Sequence, residues 1–251
     1  MTENNTKKAP VLGILGGLGP MATAYFYELL IAHTKAACDQ DHIDILINSH
    51  ATTPDRTAYI TGKSEENPLS VMIEDLHRLK IYGADLVAIP CNTAHYFYDR
   101  LKASTDLPIL NIMQETAAKL ASLGVRRAGI LATDGTIVSG TYDRYLTAYG
   151  IECIRPRAQD QNTVMRIIYD EIKNGKTPDV TAFLTVCEHL RAEGAQMLIL
   201  GCTELSLIKK HHPLPPCFID SLDVLAAATI EACGKTPVGF DFHAPASERL
   251  L

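Results

Sequence analysis

Short apolar runs recur along the chain: Val11-Leu-Gly-Ile-Leu15, Ile43-Asp-Ile-Leu-Ile47, Leu86-Val-Ala-Ile89, Ala128-Gly-Ile-Leu131 and Met197-Leu-Ile-Leu200. Each is bounded by Gly, Pro or polar residues and shows no strict alternation, the pattern of a strand buried on both faces in a parallel sheet. Helix-length segments separate them, at Ala22–Ala36, Pro68–Tyr82, Met113–Leu123, Val164–Asn174 and Val180–Glu193. Alternation of this kind predicts an α/β protein in which helices cover parallel sheets. Ligands of such sheets gather at the carboxyl ends of the strands. Met1–Lys8 and the tail Gly239–Leu251 read as mobile ends.

A repeat divides the chain in two. Leu76–Thr93 lies over Cys187–Glu204 without a gap at a shift of 111 residues, matching a helix, a Gly-Ala turn, a strand and a terminal Cys. Gly13–Pro20 lies over Gly129–Thr136 in the same way, at a shift of 116. The pattern predicts two similar lobes, each a mostly parallel sheet flanked by helices. Pseudo-two-fold symmetry relates them, with the active site between them. Pro-led strands follow each Cys segment, Leu107–Ile112 and Pro215–Asp220. We expect each to cross to the opposite lobe. Lobe one would then comprise residues 1–107 completed by 214–251, with the helix Ser221–Cys233 returning to it, and lobe two residues 108–213.

Composition narrows the function. The 251 residues carry 29 acidic and 23 basic side chains, a formal charge of −6, and no cluster of Lys and Arg. Nucleic acids and anionic membranes are held mainly through clustered cations, so neither is an expected partner. No run approaches the roughly 18 apolar residues of a spanning helix, and the opening MTENNTKKAP has no secretory h-region. A cytoplasmic protein is expected. Seven cysteines, an odd number with no C-x-x-C pair, argue against a disulfide framework or a zinc ribbon. Cys38, Cys153, Cys187, Cys217 and Cys233 read as packing residues.

Cys91 and Cys202 differ from these five, because the repeat puts both at a strand's carboxyl end, within Pro-Cys-Asn-Thr and Gly-Cys-Thr-Glu. Facing each other across a lobe interface, the two thiols would stand on opposite sides of one cleft. Inversion of a stereocentre beside a carboxylate needs a base on one face and an acid on the other, and a thiolate–thiol pair supplies both. The helix start beyond each Cys is expected to lower its pKa. Backbone N–H groups around Asn92, Thr93 and Thr203 are candidates for holding a carboxylate. Thr133, the repeat partner of Gly17, is expected to line the cleft from lobe two, and Met21 with Pro20 to form its wall. Gly16-Gly17-Leu-Gly19 lacks the G-x-G-x-x-G spacing of a dinucleotide loop and reads as a place where the backbone approaches the substrate closely. His95, four residues after Cys91, and His50 are expected to orient the site from behind it, the alternative being simple placement in the core.

Together with Gly16-Gly-Leu-Gly-Pro20 and Asn48-Ser-His-Ala-Thr-Thr-Pro-Asp-Arg-Thr57, these motifs make the chain resemble the aspartate/glutamate racemase superfamily over nearly its whole length, and within it the aspartate racemase branch. Glutamate racemases usually have Asp-Ser-Gly in the first loop and Gly-Cys-Thr-His at the second Cys. This chain has Gly16-Gly17 and Glu204 at those places. The resemblance implies a racemase that needs neither PLP nor metal, with no cofactor, with Cys91 and Cys202 as its acid/base pair and an acidic amino acid as substrate. It also implies that Arg56 binds a substrate carboxylate, for which a planar guanidinium is suited. Tyr169 and Lys173 resemble a Tyr and a Lys that the branch carries on one helix face, and a homodimer is the expected assembly. Rival readings are a glutamate or broad-specificity racemase, a related dicarboxylate isomerase, and a two-lobed binding protein without turnover.

Overall fold

The computed structural model describes residues 9–244. Its elements run β1 (Leu12–Gly16), α1 (Pro20–His33), β2 (Ile45–Ser49), α2 (Arg56–Ile60), α3 (Leu69–Ile81), β3 (Leu86–Ala88), α4 (Tyr98–Ala103), β4 (Ile109–Leu110) and α5 (Ile112–Ser122). The second half continues with β5 (Arg127–Leu131), α6 (Asp134–Ser139), α7 (Thr141–Ala148), β6 (Glu152–Ile154), α8 (Ala158–Arg166) and α9 (Val180–Ala192). It closes with β7 (Met197–Leu200), α10 (Ser206–His211), β8 (Phe218–Asp220) and α11 (Ser221–Ala232).

Two four-stranded parallel sheets result, ordered β2-β1-β3-β4 and β6-β5-β7-β8. The orders are the same once the repeat is applied, so the two-lobed α/β architecture follows the sequence expectation. The Gly-Ala turn is used identically in both halves: α3 ends at Gly83 with φ +96° and α9 at Gly194 with φ +97°, a left-handed conformation that favours glycine. The central strands are buried apart from Arg127 at the start of β5, whereas β2, expected to be buried on both faces, is a half-exposed edge strand with Ile47 at 43%.

Other expectations need correction. The Pro-led strands do not cross: β4 pairs with β3, and β8 pairs with β7. The elements that leave their own lobe are the helices after these strands. Asn111 caps α5 by accepting from Met113 and Gln114 N–H, and α5 packs on α7. Asp220 caps α11 by accepting from Leu222 N–H, and α11 packs on α1 and α5. A central core of Phe26, Leu30, Met113, Tyr142, Leu225 and their neighbours fills the space between the sheets, while separate cores lie beneath the outer helices of each lobe. The continuous helix expected over Val164–Asn174 is instead α8, a π-helical turn at Ile167–Glu171 and a 3-10 turn at Ile172–Asn174. Of the ends read as mobile, residues 1–8 and 245–251 lie outside the described residues. The described part of the tail docks, with Phe240 stacked on His33 at 4.2 Å and Val238 bonded to the His33 backbone. Among the described residues no helix is long and apolar enough to cross a membrane.

Candidate active site

Cys91 and Cys202 sit just beyond the carboxyl ends of the two repeat-related strands β3 and β7, both more than nine-tenths buried. They line one small inner cleft of about 10 Å³, together with Leu18, Asp55, Arg56, Thr57, Asn92, Thr93, Thr133, Tyr169, Lys173, Thr203 and Glu204. An outer cavity of about 340 Å³ adjoins it, walled by Pro20, Met21, Ile172 and Leu207, and lies in the size range of small-molecule sites. Asp55, Arg56, Lys173 and Glu204 line both spaces and so flank the passage between them. All the site residues expected from the sequence are brought to one region, Met21 at the outer mouth and the rest around the inner cleft.

Hydroxyls close the inner end. Thr93 Oγ1 lies 2.9 Å from Thr133 Oγ1 and 3.1 Å from Thr136 Oγ1, joining the segment after Cys91 to the start of α6. Gly135 permits this approach, since a Cβ there would stand 2.9 Å from Thr57 Cα. The Asn92 side chain is taken up structurally, accepting from Tyr142 Oη at 2.7 Å and donating to Ser221 Oγ at 3.0 Å. Thr203 donates to the Pro90 carbonyl, tying the second Cys segment to the first. His95 accepts from Ile112 N–H through Nε2 at 3.3 Å, so its Nδ1 donates to the Cys91 carbonyl at 2.8 Å. Burial pushes its pKa down to about 4, keeping the ring neutral. His50 pairs instead with Asp75.

Arg56 opens α2 behind its capping residue Asp55 and is buried to 7% exposure. Its Nη atoms donate to the Thr53, Pro54 and Leu18 carbonyls at 3.2, 3.0 and 2.7 Å. A guanidinium has five N–H donors. The buried Nε–H is one that has no protein partner, an unusual state for a buried polar group unless a ligand completes it. Lys173 stands 4.1 Å over the Tyr169 ring and 3.9 Å from Asp55 Oδ2, and Tyr169 Oη donates to the same carboxylate at 3.1 Å. Burial alone would push Lys173 down. The Glu204 carboxylate, with Tyr169, Cys202 and Asp55, outweighs it and raises the pKa, so Lys173 is a cation.

The expected lowering of the thiol pKa by helix starts is not found. Cys91 leads into a 3-10 turn and Cys202 into a short turn before α10. Burial dominates both and pushes them up, opposed at Cys91 by Arg56 and reinforced at Cys202 by Glu204. The sequence does not single out Asp55, and it marks Glu204 only as a polar residue beside the second Cys, without a role. Asp55 has the sequence signature of an ordinary N-cap, and Glu204 is visible only as the last residue of Gly-Cys-Thr-Glu. In the Gly16–Pro20 loop the close approach at Gly17 is to the protein's own backbone: at φ +81°, a Cβ there would fall 2.4 Å from His50 N.

The model of the Asp/Glu/Hydantoin racemase family matches residues 15–229. The chain belongs to this family. It is 28% identical over 225 residues to the broad specificity amino-acid racemase RacX of Bacillus subtilis, a match covering 88% of this chain and 96% of that one. Its fold superposes on the Picrophilus torridus aspartate racemase with a TM-score of 0.77 and 30% identity, covering 91% of this chain and 96% of the other. The glutamate racemase of Aquifex pyrophilus shares the fold alone, with a TM-score of 0.56 at 19% identity over 94% and 86% of the two chains.

Proposed function

We propose that the chain is a cofactor-independent racemase that interconverts L- and D-aspartate through Cys91 and Cys202. The observation carrying this reading is the pair of repeat-related thiols in one cleft beside a buried guanidinium whose Nε–H awaits a partner. One thiolate removes the α-proton as the opposite thiol delivers a proton to the other face, so one proton passes between the thiols at each turnover. The α-proton is far less acidic than a thiol, and the site must therefore stabilise the carbanion-like transition state electrostatically. Arg56 serves this purpose, with backbone N–H groups of the Asn92–Thr93 and Thr203 segments, in a cleft too small to admit bulk water.

The charges at the passage suit an acidic amino acid. Arg56 and Lys173 offer two cations for two carboxylates, and Asp55 offers an anion for the ammonium group. An inner volume near 10 Å³ holds no amino acid, so substrate enters from the outer cavity as the lips part and is sealed when they close. A broad-specificity racemase is the second reading, favoured by the apolar outer wall of Pro20, Met21, Ile172 and Leu207 and by the likeness to RacX.

The test is optical rotation or chiral chromatography of L-Asp, D-Asp, L-Glu, D-Glu and L-Met incubated with purified protein without added PLP. Aspartate is expected to racemise fastest from either side. Faster turnover of Met than of Asp selects the broad reading, and inactivity on all five with tight binding of one selects the binding protein.

A further inference from the structure

The fold is nearly symmetric around the cleft, but the charges beside its two thiols are not. Glu204 is buried to 5% exposure, and its Oε2 accepts a hydrogen bond from Cys202 Sγ at 2.9 Å. The repeat-related position two residues beyond Cys91 is Thr93, a neutral hydroxyl already engaged with Thr133 and Thr136. At Cys91 the largest charge effect is that of the Arg56 cation, which favours the thiolate and is joined by Lys173 and opposed by Glu204; at Cys202 the largest is that of Glu204, opposed by Lys173.

Gly19 also packs against the Glu204 carboxylate. Its backbone, φ −105° and ψ 153°, is open to any residue. A Cβ there would nevertheless stand 2.6 Å from Glu204 Oε1, and the only other atom it would approach is Glu204 Cδ, at 3.8 Å. The third glycine of Gly-Gly-Leu-Gly-Pro thus leaves room for the Glu204 carboxylate.

We propose that Glu204, seated against Gly19, is a positioning residue that holds the proton on Cys202, so that Cys91 is the first of the pair to ionise and the free enzyme is set to take the α-proton from the Cys91 side. This rests on the racemase reading. A carboxylate beside a sulfur favours the S–H form, which can donate to it, over the thiolate, which repels it. After a turnover the proton has moved from Cys202 to Cys91, leaving a thiolate 2.9 Å from a carboxylate oxygen. That form lies higher in energy than the starting one, and the site relaxes by returning the proton through solvent or through a reverse turnover. Because the two enantiomers of an amino acid are equal in energy, Glu204 cannot change the equilibrium. It sets which protonation form the free enzyme occupies.

The experiment reads the thiols without substrate. Full-length protein is treated with iodoacetamide between pH 6.5 and 9, and alkylation of Cys91 and Cys202 is followed by peptide mass spectrometry. Cys91 is expected to react at least tenfold faster than Cys202. Glu204→Gln should raise the Cys202 rate at least tenfold and the Cys91 rate, on which Glu204 acts without a hydrogen bond, by a clearly smaller factor. Gly19→Ala, which displaces the carboxylate without removing it, should move the ratio the same way by a smaller factor and remains informative if the Glu204 variant folds poorly. The upper limb of the racemisation pH profile should also move to lower pH in Glu204→Gln, since Cys202 then loses its proton earlier. Equal reactivity of the two thiols in the unmodified protein, or an unchanged ratio in both variants, overturns the inference. An altered ratio in a protein that racemises nothing supports the role of Glu204 and overturns the racemase reading alone.

Discussion

The two halves of this molecule share a backbone plan and differ in charge at the places where the plan repeats. After Cys91 comes the neutral Thr93, and after Cys202 the carboxylate Glu204. The helices that cross between lobes begin at Asn111 in one half and at Asp220 in the other. In each pair the first half supplies a neutral hydrogen-bonding group and the second an acid. Symmetry of the strands brings two thiols to one cleft, which a two-sided proton transfer requires. The substituted charges then make the two sides unequal, so that one thiol is better prepared to accept a proton and the other to give one.

Removing either thiol should have the largest effect. Cys91→Ala and Cys202→Ala are each expected to lower racemisation by about 10³-fold or more, in line with the loss of a general acid or base. Each variant keeps one sulfur, so slow exchange of the α-proton with deuterated solvent should survive for a single enantiomer, and for opposite enantiomers in the two variants. NMR of the α-position in D₂O measures this directly. Full racemisation by either variant would end the two-thiol mechanism, and survival of exchange for the same enantiomer in both would remove the opposed-face geometry.

Arg56 should matter next, because it lies nearer in influence to Cys91 than to its counterpart and carries the unpartnered Nε–H. Arg56→Lys keeps the charge but loses the planar fork and the bonds to Thr53, Pro54 and Leu18. A charge-assisted hydrogen bond contributes roughly 1.5–3 kcal/mol. KM for aspartate should therefore rise by about ten- to a hundredfold, with a smaller fall in kcat. Steady-state kinetics from both enantiomers give the answer, and unchanged constants would reduce Arg56 to a structural clamp for the loop at residues 53–56.

How far the sequence could be read follows the same division between backbone and charge. The central strands were legible because a parallel strand covered on both faces is a continuous apolar run, and the gapless match from Leu76 to Thr93 exposed the repeat. β4 and β8 have two and three residues, too few for a pattern to show which sheet they join, and the expected crossing failed there. β6, α2 and α6 are too short to show a period, and α7 has only the single pair Tyr142 and Leu146, four residues apart, on its buried face. Within the site, the residues beside each Cys could be read from the motif. The roles of Asp55 and Glu204 could not, because an acid's pairing with Lys173, Tyr169 or Cys202 is set by tertiary neighbours 31 or more residues away for the first two, and for Glu204 by a turn whose course the sequence leaves open. The thiol pKa expectation fails for a related reason: a helix start is local and visible in the sequence, whereas the burial that outweighs it is tertiary.

The smallest expected effect concerns the second unequal pair, Asn111 and Asp220. Asp220 is buried to 2% exposure; Oδ1 accepts from Ser206 Oγ at 2.7 Å and Leu222 N–H at 2.9 Å, and Oδ2 has no partner. Burial, then the nearby Asp223 carboxylate, which is itself paired with Lys209, pushes its pKa up to about 7. An acid whose pKa is raised by folding contributes stability that is complete below its unfolded value, near 4, and is lost as pH rises through about 7. Asn is as good an N-cap as Asp and already serves at Asn111. Asp220→Asn should therefore leave Tm nearly unchanged at pH 5 and raise it by a few degrees at pH 8, where the native acid is ionised without a full set of partners. Thermal unfolding at the two pH values decides it. An equal shift at both would mean that Asp220 does not titrate in this range, and that the charge difference between the two crossing helices carries no cost to the fold.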